Sequence, residues 1–151
     1  MEAVGEVDSS DVIDSGTSQS DVSQEVQRLR QEVLDLVNAE RISRGLSALE
    51  LDDAMCKAAQ LRAEEITESF SHTRPNGTKC FTALNEAGIY YNSCGENIAE
   101  GYSTAADVMA GWMNSDGHRA NILGRSFKKI GIGVAITSSG YKYYWTQMFI
   151  G

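Results

Sequence analysis

The segment 130–150 constrains the fold most, because large and small side chains alternate along it with a period of two. The branched residues Ile130, Ile132, Val134 and Ile136 fall on one face of the predicted strand, and Gly131, Gly133 and Ala135 fall on the other. A face of such small residues lets another element approach the backbone closely. A packed helix is the usual explanation for this pattern, and the floor of a cleft is the less common one.

A second alternating run follows a predicted Ser138-Ser139-Gly140 turn and extends from Tyr141 to Ile150. Apolar bulk falls on both of its faces, so both faces of the resulting hairpin are expected to be covered. Helical periodicity is found elsewhere, over residues 24–44, 52–69, 79–87 and 104–114. The sequence therefore predicts an α+β fold in which a central antiparallel sheet lies between helices.

The negative charge is unevenly distributed along the 151 residues, whose net charge is −8. Residues 1–25 contain seven acidic side chains and no Lys or Arg, whereas residues 26–151 contain 14 acidic and 13 basic ones. We interpret residues 1–23 as a flexible acidic leader and residues 24–151 as one folded domain. A nearly neutral domain argues against nucleic-acid binding, which needs clustered Lys and Arg. No apolar run approaches the roughly 20 residues of a membrane span.

The three cysteines are Cys56, Cys80 and Cys94, and none of them forms a Cys-x-x-Cys motif. A thiolate zinc site or a thioredoxin-like motif is therefore not expected. Cys80 and Cys94 flank one helix-sized segment and could form a disulfide, which would close a loop of about 15 residues and contribute roughly 3 kcal/mol. Three buried thiols are an equally good interpretation of the sequence alone.

The chain has only two histidines, His72 and His118, and each lies at the junction of a helix and a loop. Between them, Glu96 stands inside a short apolar segment, where a carboxylate needs a partner such as an imidazole. Two imidazoles and a carboxylate can hold a divalent metal ion or act as a general acid–base pair. Spacing alone favours a third interpretation, a hydrogen-bonded cluster that ties helices to the sheet.

A nucleophilic site is the competing chemistry. Cys94, His118 and Asn121 supply the residue types of a Cys-His-Asn site, although no specific local motif accompanies them. The chain has no Gly-x-Ser-x-Gly elbow, and no Gly-rich phosphate-binding loop precedes a helix.

Six blocks of sequence, taken in order, are similar to those of the CAP superfamily of cysteine-rich secretory proteins, antigen 5 and pathogenesis-related 1, and in particular to its bacterial SCP-like branch. The blocks are Leu36-Val37-Asn38-Ala39-Glu40-Arg41, Ser71-His72-Thr73-Arg74-Pro75-Asn76-Gly77, Cys94-Gly95-Glu96-Asn97-Ile98-Ala99, Gly111-Trp112-Met113-Asn114-Ser115, Gly117-His118-Arg119-Ala120-Asn121-Ile122-Leu123 and Tyr144-Trp145-Thr146-Gln147-Met148-Phe149. The resemblance covers residues 24–151.

The resemblance implies an α-β-α sandwich with a central cleft that holds two His and two acidic residues and can bind zinc or another divalent cation. His72, Glu96 and His118 match three of those four positions, and Ser115 stands at the fourth. A serine does not replace a carboxylate as a base or an anionic ligand, so water or Asp116 would have to fill the gap. Asn121 and Gln147 are the other cleft candidates, and His72 and His118 are the expected metal ligands.

The resemblance also bears on compartment and function. It implies an exported, extracellular or cell-surface protein whose export signal has been removed, and it shifts the cysteines toward a Cys80–Cys94 disulfide. The expected function is a binding module for a lipid, sterol, peptide or protein. The alternatives are a metal-assisted hydrolase, in which Glu96 is the base between His72 and His118, and a structural component of a cell surface or spore coat.

Overall fold

The computed structural model describes residues 19–151. The helices are α1 (Gln19–Ile42), α2 (Asp53–Glu68), α3 (Thr82–Glu86), α4 (Ala105–Met113) and α5 (Asp116–Ile122), and the strands are β1 (Glu50–Leu51), β2 (Cys94–Glu100), β3 (Lys129–Ile136) and β4 (Tyr143–Ile150). Helix α1 includes residues 19–23, which the sequence assigned to the acidic leader. The rest of that predicted leader, residues 1–18, lies outside the described residues.

Local sequence signals set the ends of the longer helices. Helix α1 is followed by Gly45, whose φ of +75° is the left-handed conformation typical of a helix terminator. Helix α2 begins after Asp52, whose carboxylate accepts a hydrogen bond from the Met55 N–H at 2.9 Å. Helix α4 begins in the same way after Thr104. These caps satisfy N–H groups that the first helical turn leaves without an internal partner.

The four strands form one sheet in the order β1-β3-β4-β2. Strands β2 and β3 each pair with β4 in antiparallel orientation, so the predicted hairpin of β3 and β4 is confirmed. Its turn is longer than expected, because β4 begins only at Tyr143. The sheet is mixed rather than antiparallel throughout, since β1 pairs parallel to β3 through Glu50 and Leu51. A strand of two residues is too short to show a period in the sequence.

One face of the sheet is covered by α1 and α4. The core on this side contains Leu29, Val33 and Val37 of α1, Val108, Met109 and Trp112 of α4, and Ile130, Ile132, Val134, Trp145 and Phe149 of the sheet. Trp145 is fully buried and donates a hydrogen bond from its indole N–H to the Tyr102 carbonyl at 2.8 Å. The alternation seen in β3 therefore directs its branched side chains toward these two helices.

The opposite face is covered by α2 and α3. A Cβ atom at Gly131 would lie 2.3 Å from the Met55 backbone, and one at Gly133 would lie 2.3 Å from the Ala59 carbonyl oxygen. The small face of β3 is thus the surface on which α2 packs, as the sequence favours. With helices on both faces, the α+β architecture and the α-β-α sandwich are confirmed.

Candidate functional site

His72 and Glu96 are in direct contact. Strand β2 carries Glu96 on the face covered by α2, and His72 lies in the segment that follows α2. The Nδ1 atom of His72 is 2.7 Å from Oε1 of Glu96, whose side chain is only 1% exposed, whereas 58% of the His72 side chain is exposed. An ionised carboxylate only accepts, so Nδ1 carries a proton, and in the neutral imidazole Nε2 keeps its lone pair. No residue of 19–151 hydrogen-bonds that Nε2 atom.

Arg62 of α2 is the second partner of Glu96. Its Nε donates to Oε2 of Glu96 at 2.8 Å and its Nη2 donates to Oε1 at 3.3 Å. The same Nη2 donates to the Ser71 carbonyl at 2.6 Å, which fixes the backbone beside His72. The Arg62 side chain is fully buried. Arg62 was not predicted from the sequence as a site residue. It lies four residues before Ile66 on the apolar face of α2, however, and an arginine on such a face indicates a buried partner.

The ionic network continues from Arg62 to Glu65, Arg74 and Glu86. Arg62 Nη1 donates to Glu65 at 2.8 Å, and Arg74 donates to Glu65 at 2.9 Å and to Glu86 at 2.9 Å. Burial raises the pKa of Glu65, but the hydrogen bonds from Arg74 and Arg62 outweigh burial and hold its pKa below the ordinary 4.5. The network anchors the Arg74-Pro75-Asn76-Gly77 turn, which a Gly77 N–H to Arg74 carbonyl bond of 2.8 Å closes.

Cys80 lies on the inner side of the same cluster. Its backbone N–H donates to the His72 carbonyl at 2.9 Å, and its Sγ lies within 4.8 Å of the Glu96 carboxylate. One ligand atom from each of His72, Cys80 and Glu96 lies within 4.8 Å of the others, so these three residues form a group that could hold a metal ion. Burial, followed by the negative charge of Glu96, raises the pKa of the Cys80 thiol to about 12.

The predicted Cys80–Cys94 disulfide is not formed, because Cys56, Cys80 and Cys94 are all free thiols in the structure. The Cys80 thiol instead lies within 4.8 Å of Glu96, and Cys94 packs against the apolar cluster that also includes Tyr91. Burial raises the pKa of Cys94. That shift is opposite to the one an activated nucleophile needs.

His118 of α5 contacts Ser115, the residue that the resemblance puts at the fourth cleft position. Nδ1 of His118 is 2.9 Å from the Ser115 hydroxyl. Burial lowers the pKa of His118 below the ordinary 6.5, and repulsion from His72 in its protonated form lowers this pKa further. Asp116 does not fill the fourth position, because its side chain is 97% exposed and accepts a hydrogen bond from Arg119 at 2.6 Å.

A cavity of about 250 Å³ lies beside His118. Its walls are mainly apolar and aromatic, and the residues that line it include Phe70, Ile98, Tyr102, Trp112, Ser115 and His118. Phe70 and Tyr102 are partly exposed at 46% and 38%. An apolar cavity with a few polar groups is the usual form of a small-molecule or side-chain binding site.

Asn121 and Gln147, the other predicted cleft residues, belong to a chain of side-chain amides in which Asn97 and Gln147 are buried and Asn121 is half-buried. Asn121 donates to Oδ1 of Asn97 at 2.9 Å, and Asn97 donates to Oε1 of Gln147 at 3.0 Å and to the His118 carbonyl at 3.1 Å. Gln147 is fully buried. The structure thus places Gln147 in the core, where the amide chain joins β2 and β4 to α5 and holds the backbone of His118.

The proposed Cys-His-Asn combination is not assembled into a hydrogen-bonded site. Cys94 contacts the cluster formed by α2, α3 and the end of β4. His118 is bonded to Ser115, and Asn121 is bonded to Asn97 and to the Glu96 carbonyl. None of the hydrogen bonds among residues 19–151 joins Cys94 to either of the other two.

Comparisons with known proteins agree with this architecture. The family model described as "Cysteine-rich secretory protein family" (CAP) matches residues 34–149. A protein of Bacillus subtilis (strain 168), "Uncharacterized protein YkwD", is 38% identical over 128 residues, which are 83% of this chain and 48% of that protein. "Uncharacterized membrane protein YlbC" of the same organism is 33% identical over 121 residues, 79% of this chain and 33% of that protein. The chain thus spans half or less of these two relatives.

A solved structure has the same fold. It is described as an extracellular protein containing a SCP domain from Bacillus anthracis str. Ames, and it is 27% identical with a TM-score of 0.80 over 91% of this chain and 45% of that one. None of the helices within residues 19–151 combines the length and the hydropathy that a membrane span needs.

Proposed function

The chain belongs to the cysteine-rich secretory protein (CAP) family, and we propose that it is a binding module that recognises its ligand in the cleft containing His72 and His118. The observation that carries the proposal is the 2.7 Å contact between His72 Nδ1 and the buried Glu96 carboxylate. It orients an exposed imidazole and leaves Nε2 on the side of the ring away from Glu96. A peptide, a lipid or sterol, or another protein with an apolar group for the adjacent cavity is the expected ligand class.

The residues of the cleft also fit a divalent cation such as Zn²⁺. Neutral imidazole is a common zinc ligand, and such a ligand usually donates its other N–H to a carboxylate. His72 contacts Glu96 in this way, and His118 offers a second imidazole whose lowered pKa favours the unprotonated form that binds a metal ion. A bound zinc ion would supply a Lewis acid with positions open to a ligand.

Glu96 and Cys80 are poorer ligands than the two imidazoles. Both oxygens of Glu96 already accept hydrogen bonds from Arg62, and the Cys80 thiol has a pKa of about 12. We therefore propose that His72 and His118 bind the metal ion through Nε2, and that Glu96 positions His72. In the competing arrangement, His72, Cys80 and Glu96 are the three ligands.

Isothermal titration of zinc chloride into the metal-free protein tests this proposal. We expect one zinc ion per chain, with at least a tenfold loss of affinity in His72→Ala and in His118→Ala. Cys80→Ser is the matched variant, because it removes the thiol and leaves both imidazoles. Unchanged affinity in Cys80→Ser supports the two-histidine site, whereas a loss in Cys80→Ser with no effect of His118→Ala would establish the His-Cys-Glu group instead. No zinc binding by the wild-type protein would contradict the metal proposal.

Ligand recognition is favoured over hydrolysis, because the Glu96 carboxylate, the predicted base, is already engaged in hydrogen bonds. A general base needs a free oxygen near the reacting water, and both oxygens of Glu96 are held by Arg62 and His72. The resemblance to the family puts Ser115, which is not a carboxylate, at the fourth position of the cleft. We expect zinc-loaded protein to hydrolyse a library of fluorogenic peptides no faster than His72→Ala does. Turnover that is abolished by Glu96→Gln would overturn this part of the proposal.

We further propose that the protein works outside the cell or at its surface. Support comes from the related Bacillus anthracis structure, which is described as an extracellular protein, and from the membrane protein YlbC. Fractionation of cells that express the natural full-length protein tests this assignment. The protein is expected in the culture medium or in the wall and membrane fractions. Recovery in the cytosol alone would contradict it.

A further inference from the structure

Ser115 stands at the N-cap of α5 but does not cap the helix. Its φ of −117° and ψ of 125° are the extended angles of an N-cap residue. Serine is favoured at this position because its hydroxyl accepts a hydrogen bond from an N–H of the first turn. No side-chain capping bond is made by Ser115. Its hydroxyl instead lies 2.9 Å from Nδ1 of His118.

Two other helices show what the ordinary cap looks like in this protein. Thr104 accepts the Asp107 N–H at 3.1 Å at the start of α4, and Asp52 accepts the Met55 N–H at 2.9 Å at the start of α2. Ser115 has the same backbone region and a capping residue type, yet its hydroxyl is used by an imidazole. The helix therefore loses a stabilising bond that a purely structural serine would supply.

The hydroxyl and the carboxylate differ in what they allow an imidazole to do. Glu96 can only accept, so it holds His72 in the tautomer with Nδ1–H and a lone pair on Nε2. The Ser115 hydroxyl can donate or accept. If it accepts, His118 has a lone pair on Nε2, and if it donates, Nε2 carries a proton. Nε2 of His118 has no hydrogen-bond partner among residues 19–151.

We propose that Ser115 is a specificity-determining residue of the metal-free cleft, because it lets His118 present Nε2 to a ligand either as an acceptor or as a donor. Nε2 of His72 can then only accept a hydrogen bond, whereas Nε2 of His118 can accept or donate one. Both Ser115 and His118 line the 250 Å³ cavity. The cleft therefore suits a ligand in which a hydrogen-bond donor or acceptor, such as an amide or a hydroxyl, lies next to an apolar group. This inference rests on the proposed recognition function of the cleft.

Nuclear magnetic resonance of the metal-free, ¹⁵N-labelled protein at pH 8 tests the inference, because the chain has only four imidazole nitrogens. The ¹⁵N shifts of His72 are expected to be those of a single Nδ1–H tautomer. Those of His118 are expected to be averaged between the two tautomers. Ser115→Asp places an acceptor-only group at the N-cap and should shift His118 to the Nδ1–H tautomer. It should also tighten zinc binding about tenfold.

A comparison of Ser115→Ala with Thr104→Ala tests whether Ser115 only caps its helix, as Thr104 does. Because Ser115 makes no capping bond, Ser115→Ala should leave the midpoint of thermal unfolding within about 2 °C, whereas Thr104→Ala should lower it by about 2–4 °C. Ser115→Ala alone should alter the His118 ¹⁵N shifts. A loss in Ser115→Ala as large as in Thr104→Ala, with His118 shifts unchanged, would overturn the inference.

The failure of this inference can be told apart from the failure of the proposed function. A single His118 tautomer in the wild-type protein that Ser115→Asp leaves unchanged overturns the inference, even if zinc binds. Averaged His118 shifts that respond to both variants support it, and absent zinc binding would then count only against the metal site.

Discussion

Arg62 and Glu96 form a buried ion pair beneath the exposed imidazole of His72. Their side chains are 0% and 1% exposed, and the Nε–Oε2 distance is 2.8 Å. Two charges in such an environment are tolerated only when each has its partner. The pair therefore stabilises the contact between α2 and β2, and it also fixes the carboxylate that orients the His72 imidazole.

The first prediction concerns this pair. Arg62→Met should lower the free energy of unfolding by about 3–5 kcal/mol, because it leaves Glu96 buried without its guanidinium partner. The double variant Arg62→Met/Glu96→Leu should lose less than the sum of the two single variants. Urea denaturation of all four proteins measures the coupling energy. Additive losses would mean that the two side chains act independently.

An exposed ion pair provides the control for that cycle. Arg44 donates to Glu40 at 2.6 Å, with side chains 45% and 38% exposed. Arg44→Met should change the free energy of unfolding by no more than about 0.5 kcal/mol, since water screens the pair.

The second prediction is an acid-dependent loss of stability through Glu65. Because the folded-state pKa of Glu65 lies below 4.5, its contribution is present above the unfolded-state pKa and is lost as the pH falls through the folded-state pKa. Urea unfolding at a series of pH values from 7 to 3 should show that decline. Arg74→Met removes the main hydrogen bonds to Glu65 and should flatten it. Parallel curves for Arg74→Met and the wild type would contradict this role.

Much of the fold could be predicted because its signals are local. The period of two in β3 and β4, and the small face formed by Gly131 and Gly133, determine both the hairpin and the place where α2 packs. Strand β1 could not be predicted, since Glu50 and Leu51 are defined only by the Lys129–Ile130 backbone beside them.

The residues of the site could be predicted from the sequence, but most of the contacts between them could not. The resemblance to a family placed His72, Glu96, His118 and Ser115, and the structure joins them in two contacts, His72 to Glu96 and Ser115 to His118. Arg62 and Glu96 are 34 residues apart, and only the packing of α2 on β2 brings them together. Gln147 was placed correctly in a strand, but its buried orientation depends on the amide of Asn97.

The third prediction tests the close packing of α2 on β3. Gly133→Ala should destabilise the protein by about 1–3 kcal/mol or more, because its Cβ would lie 2.3 Å from the Ala59 carbonyl oxygen. Gly117→Ala is the control, since nothing lies within 4 Å of the added Cβ in α5. It should leave stability unchanged or raise it by up to about 1 kcal/mol. Equal effects of the two substitutions in urea denaturation would refute the packing argument.

The fourth prediction concerns the edge of β3 beyond the short strand β1. The Gln60 amide accepts the Val134 N–H at 3.0 Å and donates to the Val134 carbonyl at 2.8 Å, as a neighbouring strand would. Gln60→Ala should lower the free energy of unfolding by about 1–3 kcal/mol and speed aggregation, because the backbone edge becomes available for pairing.

Light scattering at 37 °C and urea denaturation measure the two effects of Gln60→Ala. Gln31→Ala is the control, because among residues 19–151 the Gln31 side chain bonds only the exposed Asp35, at 2.9 Å. A Gln60→Ala protein that is as stable and as soluble as the Gln31→Ala protein would show that the amide does not protect the edge.

The fifth prediction concerns the state and reactivity of the three thiols. Burial raises the pKa of Cys56 and Cys94, and it raises that of Cys80 to about 12, so few thiolates exist at pH 8. Native protein should therefore react with iodoacetamide much more slowly than protein unfolded in urea, because the thiolate is the nucleophile. Mass spectrometry of protein alkylated in urea without reductant should find three modified cysteines. A single modified cysteine, with an unmodified mass two hydrogens lower, would instead establish the Cys80–Cys94 bridge.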